Sequence, residues 1–163
     1  MQAKSIKVPG PDHPITIKPN PARVTVSLAG RIIADTREAL TLREASYPAV
    51  QYIPRKDVDM SLLQRTDHAT YCPYKGDCAY YSIPSRGKRS ANAAWTYEAP
   101  YAAVAEIKDH LAFYPDRVDE IKEQNPNGPP EKYWTILEAN RLALFGGEPL
   151  FVGYTVSSLH VVL

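Results

Sequence analysis

The chain reads as a mainly β protein, a compact set of antiparallel sheets with short helices, carrying a helical appendage at its C-terminal end. Three observations predict this. Val24, Val26 and Leu28 alternate with polar neighbours and the pattern returns after a turn; fifteen prolines in 163 residues cut the chain into short pieces. Tyr outnumbers Phe by eleven to three, and nine of those tyrosines lie between Tyr47 and Tyr114. Proline removes a backbone donor and ends or edges an element. Tyrosine, with an apolar body and a polar tip, suits both a strand surface and the wall of a half-wet cavity.

Taken in order, residues 1–14 contain Pro9-Gly10-Pro11 without periodicity and read as a flexible arm. Residues 15–117 read as the β-rich domain. Within it the alternation at Val24, Val26 and Leu28, the turn Ala29-Gly30 and the return over 31–35 spell a hairpin. Short strands follow over 39–43 and 50–53, the latter stopped by Pro54. Asp57 is placed to cap a helical turn that turns Leu62 and Leu63 to the core. Strands over 79–83 and 94–97 flank a hairpin loop, a short helix fits 102–108, and a final strand fits 111–114.

Residues 118–163 read as an extension. A polar helix is expected over 116–124, then a linker over 125–130. Trp134, Leu137, Leu142 and Phe145 recur at helical spacing before Gly146, and 150–156 suits an edge strand.

A formal charge of +1 with 23% charged residues provides no field for steering polyanions. Lys and Arg form no run of five, so nucleic acid is not the expected partner. No stretch reaches the ~18 apolar residues of a membrane span, and the first ten residues lack a secretory core, so a cytoplasmic protein without membrane attachment is expected. Cys72 and Cys78, the only two cysteines, are expected as thiols in a reducing compartment.

Several motifs occur in order across roughly 23–117: Tyr52-Ile53-Pro54, Asp57-Val58, Thr70-Tyr71-Cys72-Pro73-Tyr74-Lys75-Gly76, Tyr80-Tyr81, Trp95-Thr96-Tyr97, Pro100 and Ala112-Phe113-Tyr114-Pro115. Through them the chain resembles the family known as domain of unknown function 427, also labelled nucleotidyltransferase-like. The resemblance implies a small all-β fold of the beta-tent type and no agreed activity. The chain departs from the family pattern at Cys78, where a small residue such as Ala is usual, and at Asp109, where Gly is common. The first departure puts a general role for Cys78 in doubt.

Chemistry is expected to centre on residues 70–81. Thr70, Tyr71, Cys72 and Lys75 bring a hydroxyl, a phenol, a thiol and an amine around a turn closed by Gly76, which can take a positive φ and admit a ligand to the backbone. Lys75 is a compact cation suited to phosphate or carboxylate; its plainer role is a solvated turn residue. Cys72 is held extended by Pro73, and its thiol is activated if Lys75 converges on it, but a cysteine at a strand end also serves as a small buried apolar group. Lys75 and Cys72 are thus the catalytic candidates, with Tyr71 or His68 assisting. Trp95 and Tyr97 share a strand face on which a flat ligand could stack, or they form a core pair; Tyr52 and Tyr81 join the candidate lining.

Two metal readings are weaker. His68, Cys72 and Cys78 lack the close Cys pairs of structural zinc. Asp57 and Asp59 have the Asp-x-Asp spacing of a magnesium site only if they lie on a strand, whereas a helical turn makes them diverge. No metal or cofactor is expected. These residues point to a small anionic or nucleotide-like ligand bound among Tyr52, Thr70, Tyr71, Lys75, Gly76, Tyr81, Trp95 and Tyr97. The alternative is a non-enzymatic module that binds a protein or forms a homodimer through the helix expected over 133–145.

Overall fold

Side chains on a strand point alternately to its two faces, and that rule sets the layering of this domain. The computed structural model describes residues 4–84 and 90–125. Its strands are β1 (Ile15–Pro19), β2 (Arg23–Leu28), β3 (Arg31–Thr36), β4 (Leu40–Glu44), β5 (Val50–Pro54), β6 (Gln64–Cys72), β7 (Gly76–Ser82), β8 (Ala94–Thr96), β9 (His110–Phe113) and β10 (Glu120–Gln124). They form a seven-stranded sheet ordered β1-β4-β5-β9-β8-β7-β6 and a three-stranded sheet ordered β10-β2-β3. Every pairing is antiparallel, so the protein is mainly β.

Adjacent residues of the large sheet serve different cores. Ile53, Tyr81, Leu111 and Phe113 face a first cluster that Val24, Val26 and Leu28 of β2 and Ile33 of β3 complete. Tyr52, Tyr80 and Ala112 face a second cluster with Leu42, Cys78, Tyr97, Val104 and Ile107. The small sheet therefore covers one face of the large sheet. The 3₁₀ segment Ala102–Ile107 contributes Val104 and Ile107, both fully buried, to the other.

The β2–β3 hairpin turns in two residues, with Ala29 at φ 58° and Gly30 at φ 71°. A right-twisted hairpin needs positive φ at both positions. The Ala29 amide is held by Asp119 Oδ2 at 2.6 Å. Asp109, just before β9, also sits at φ 58°. Glycine reaches that region without strain, whereas Asp109 holds it with a side chain.

Two expected elements differ. The polar helix expected over 116–124 is a 3₁₀ turn, Pro115–Arg117, followed by β10. Glu and Lys favour helices locally, but full pairing of β10 with β2, from Glu120↔Ser27 to Gln124↔Arg23, satisfies the backbone of both strands. The cap of the turn Met60–Leu62 is Asp59, which accepts from the Ser61 amide at 3.2 Å. Asp57 instead accepts from Thr36 Oγ1 at 2.6 Å. The linker, amphipathic helix and edge strand expected after 125 lie outside the described residues, and with them the helical appendage.

Residues 4–14, expected as a flexible arm, lie along the β6–β7 hairpin. The Lys7 amide donates to Pro73 O at 2.9 Å, Tyr71 Oη donates to Ser5 O at 2.6 Å, and the His13 ring stacks on Tyr74 with centroids 4.0 Å apart.

Candidate functional site

The β6–β7 hairpin owes its shape to three residues. Pro73 presets the φ of the second turn position, the Lys75 amide closes the turn on Cys72 O at 3.3 Å, and Gly76 begins β7 at φ 105°. A Cβ at Gly76 would stand 3.3 Å from Ala99 O. The close approach foreseen at Gly76 is thus to the chain's own backbone. Gly76→Ala should lower unfolding free energy by about 1–3 kcal/mol through strain at that φ. A urea titration checks this, and an unchanged midpoint would contradict it.

The turn is pinned from the other side by the Tyr101 amide, which donates to Lys75 O at 3.2 Å. Held so, Lys75 runs inward and is only 7% exposed. Its ammonium donates to Glu44 Oε2, at the end of β4, and lies 5.9 Å from the Tyr97 ring centroid. Glu44 Oε1 accepts from His13 Nε2 at 3.0 Å. Burial works against the Glu44 carboxylate, but hydrogen bonds from His13 and Lys75 outweigh it and hold its pKa below the ordinary value.

Lys75 and Glu44 border a hollow of about 190 Å³ whose aromatic walls are Tyr52, Tyr80, Trp95, Tyr97 and Tyr114. Trp95 Nε1 donates to Tyr52 Oη at 3.3 Å, and the Trp95 ring lies against Tyr114 at 4.4 Å. Burial pushes the phenol pKa values of Tyr52, Tyr80 and Tyr97 upward. These phenols therefore stay protonated near neutral pH, where they can donate hydrogen bonds but not act as bases.

The expected lining divides. Tyr52, Lys75, Trp95 and Tyr97 meet at the hollow; Tyr97, just after β8, is also part of the second core. Thr70 touches its wall from behind, with Oγ1 2.8 Å from Tyr80 Oη. Tyr71 turns outward to Ser5 and to Tyr101 Oη, 3.0 Å away; the bond to Tyr101 raises its pKa to about 12. Tyr81 belongs to the first core, where its Oη accepts from Arg55 Nη2 at 2.7 Å. Period two separates it from Tyr80. Cys72 packs, partly buried, against the second core, which contains Cys78. Of the two catalytic candidates, only Lys75 borders the hollow.

His68 lies in β6 with its ring 4.5 Å from Tyr80. Among the described residues no three His, Cys, Asp or Glu side chains cluster as a metal would need. Asp57 accepts from Thr36 Oγ1 at 2.6 Å, whereas Asp59 caps the next turn and faces Arg31 at 3.9 Å. Sequence reasoning missed Glu44, Tyr80 and Tyr114. Alternation next to Tyr81 could have found Tyr80, whereas no local signal marks Glu44, thirty-one residues from its partner.

Fold and hollow together define a two-sheet antiparallel β domain with a recessed, carboxylate-held lysine among aromatic rings. The chain matches the model of the domain of unknown function (DUF427) over residues 16–124 and belongs to that family. No curated protein matches it. No helix among the described residues is long and apolar enough to cross a membrane.

Proposed function

We propose that the domain binds a small anionic ligand in the hollow beside Lys75, with the ring-shaped part of the ligand against Trp95 and Tyr97. The observation that carries this reading is a lysine only 7% exposed that borders an aromatic hollow. Lysine is rarely buried, because desolvating its charge costs several kcal/mol (~5 or more) unless it is paired. Glu44 meets that cost in the folded chain, so Lys75 is a preplaced cation rather than a flexible surface group. An entering carboxylate or phosphate oxygen would share its ammonium protons, and the neutral phenols would donate to the remaining oxygens.

Size narrows the ligand. At about 190 Å³ the hollow falls below the ~300–1,000 Å³ of typical ligand clefts. It suits one ring or one acidic group, so a nucleotide would enter with only part of its body. In a catalytic version Lys75 would serve as the acid, delivering a proton to a developing anion while Glu44 holds the amine in position. The beta-tent architecture implied by the resemblance belongs to the same reading, with the hollow on the large-sheet face away from the small sheet.

A thermal-shift screen with carboxylates, sugar phosphates and nucleotides tests the proposal. At least one compound at saturating concentration should raise Tm by roughly 5–10 °C, and Lys75→Ala should abolish the rise. A screen in which nothing moves the wild-type protein would overturn it.

A further inference from the structure

Tyr81 points to the face of the large sheet opposite the Lys75 hollow, since its neighbour Tyr80 lines that hollow and Tyr81 joins the first core. Two guanidinium groups meet its phenol there. Arg55, in the 3₁₀ turn that follows β5, donates from Nη2 to Tyr81 Oη at 2.7 Å and lies 5.3 Å from the ring centroid. Arg65 is the residue paired directly with Tyr81 across β6 and β7. That register sets both side chains on one face.

The two arginines differ in counter-charge. Arg65 donates from Nη1 and Nη2 to the two oxygens of Glu98, the second at 3.0 Å. Glu98 raises the Arg65 pKa and Tyr81 adds to the rise, as a phenol within reach of the guanidinium would. Arg55 is half-buried and forms no ion pair with any described residue. The Tyr81 phenol accepts from Arg55 and donates its own proton to no described residue. Three donor groups thus converge with one carboxylate among them, and the cluster keeps a net positive charge.

We propose that Arg55, Arg65 and Tyr81 bind a phosphoryl group, carried by a phosphate monoester or by free phosphate. Guanidinium donors form a planar fork that matches phosphate oxygens. One fork saturates a planar carboxylate, whereas a tetrahedral phosphoryl group offers oxygens to several donors at once. Here the donors come from three places, the end of β5, β6 and β7, which favours the tetrahedral anion. The bond to Tyr81 and the contact with its ring hold Arg55 in position beforehand, so little side-chain freedom is lost on binding.

The test is an NMR titration of the full chain with methyl phosphate, inorganic phosphate and acetate at one ionic strength, read on the side-chain Nε–H signals of Arg55 and Arg65. Both signals should move with both phosphates, and acetate should bind about 10-fold more weakly, the worth of one charge-assisted hydrogen bond. Arg55→Gln, followed on Arg65, should weaken methyl phosphate by about the same factor, and so should Arg65→Gln followed on Arg55. Lys75→Met should leave the titration unchanged, which separates this site from the hollow. Tighter binding of the ester than of the free ion supports a monoester as the ligand, and the reverse supports free phosphate. Signals that move no further than in sodium chloride of equal ionic strength would overturn the proposal. Acetate binding as tightly as phosphate would do the same, and so would binding lost in Lys75→Met but kept in Arg55→Gln.

Discussion

Glu44→Gln should destabilise the domain by about 3 kcal/mol, because it leaves the Lys75 ammonium recessed without its counter-charge. Lys75 is 7% exposed, so water offers the stranded ammonium little relief. Removing both charges relieves that penalty, and the double variant Glu44→Gln, Lys75→Met should recover most of the loss. The pH dependence follows from the Glu44 pKa, which is lower in the folded chain than its ordinary value of 4.5. A depressed folded pKa means that the contribution is fully present above the unfolded value and is lost as pH falls through the folded one. Wild-type stability should therefore decline below about pH 4.5, and the Glu44→Gln variant should lack that share of the decline. Urea midpoints measured from pH 7 down to pH 3 check both statements. A single variant within about 0.5 kcal/mol of wild type at pH 7, the range of ordinary surface changes, would show that the pair does not hold Lys75 in place.

Leu111→Ala should cost about 3–4 kcal/mol, the sum of lost transfer energy and the void left behind. Leu111 is fully buried in β9, opposite Ile53 of β5, and faces the core between the two sheets. Its neighbour Ala112 faces the other core. The variant should therefore lose stability yet keep the ligand response of the Lys75 hollow at temperatures below its lowered midpoint. Denaturant unfolding should move the midpoint at nearly constant slope. A loss under about 1 kcal/mol would mean that the site collapses around the missing methyls.

The sequence was most legible where alternation met burial. Val24, Val26 and Leu28 lie at 0–3% exposure between half-buried neighbours, so period two was visible and the hairpin with β3 followed. The strands at 40–44, 50–54, 76–82 and 110–113 were readable within a few residues for the same reason. β10 was not. Its only aliphatic residue is Ile121, and Glu120, Lys122 and Glu123 carry no β signal, so its identity comes from pairing with a strand almost a hundred residues earlier. β6 was hidden similarly, since it lies at the sheet edge, is largely exposed, and departs from regular register between Arg65 and Ala69.

Lys75, Tyr52, Trp95 and Tyr97 could be grouped from residue type and strand parity, and all four border one hollow. The carboxylate that fixes the lysine was not found, because register across β1, β4 and the segment before them is a three-dimensional fact. Thr70, Tyr71 and Tyr81 were grouped with the lining by nearness in sequence, which one step of strand parity reverses.

The docked N-terminal segment bears on how the protein is handled. A shortened version starting at Ile15 would retain all ten strands assigned among the described residues. It would nevertheless strip Glu44 of its imidazole donor, bare one face of Tyr74 and remove the Ser5 carbonyl to which Tyr71 donates. Such a trimmed protein would preserve the architecture while altering the charge balance of its most sensitive acid, and measurements on it would describe a different binding surface.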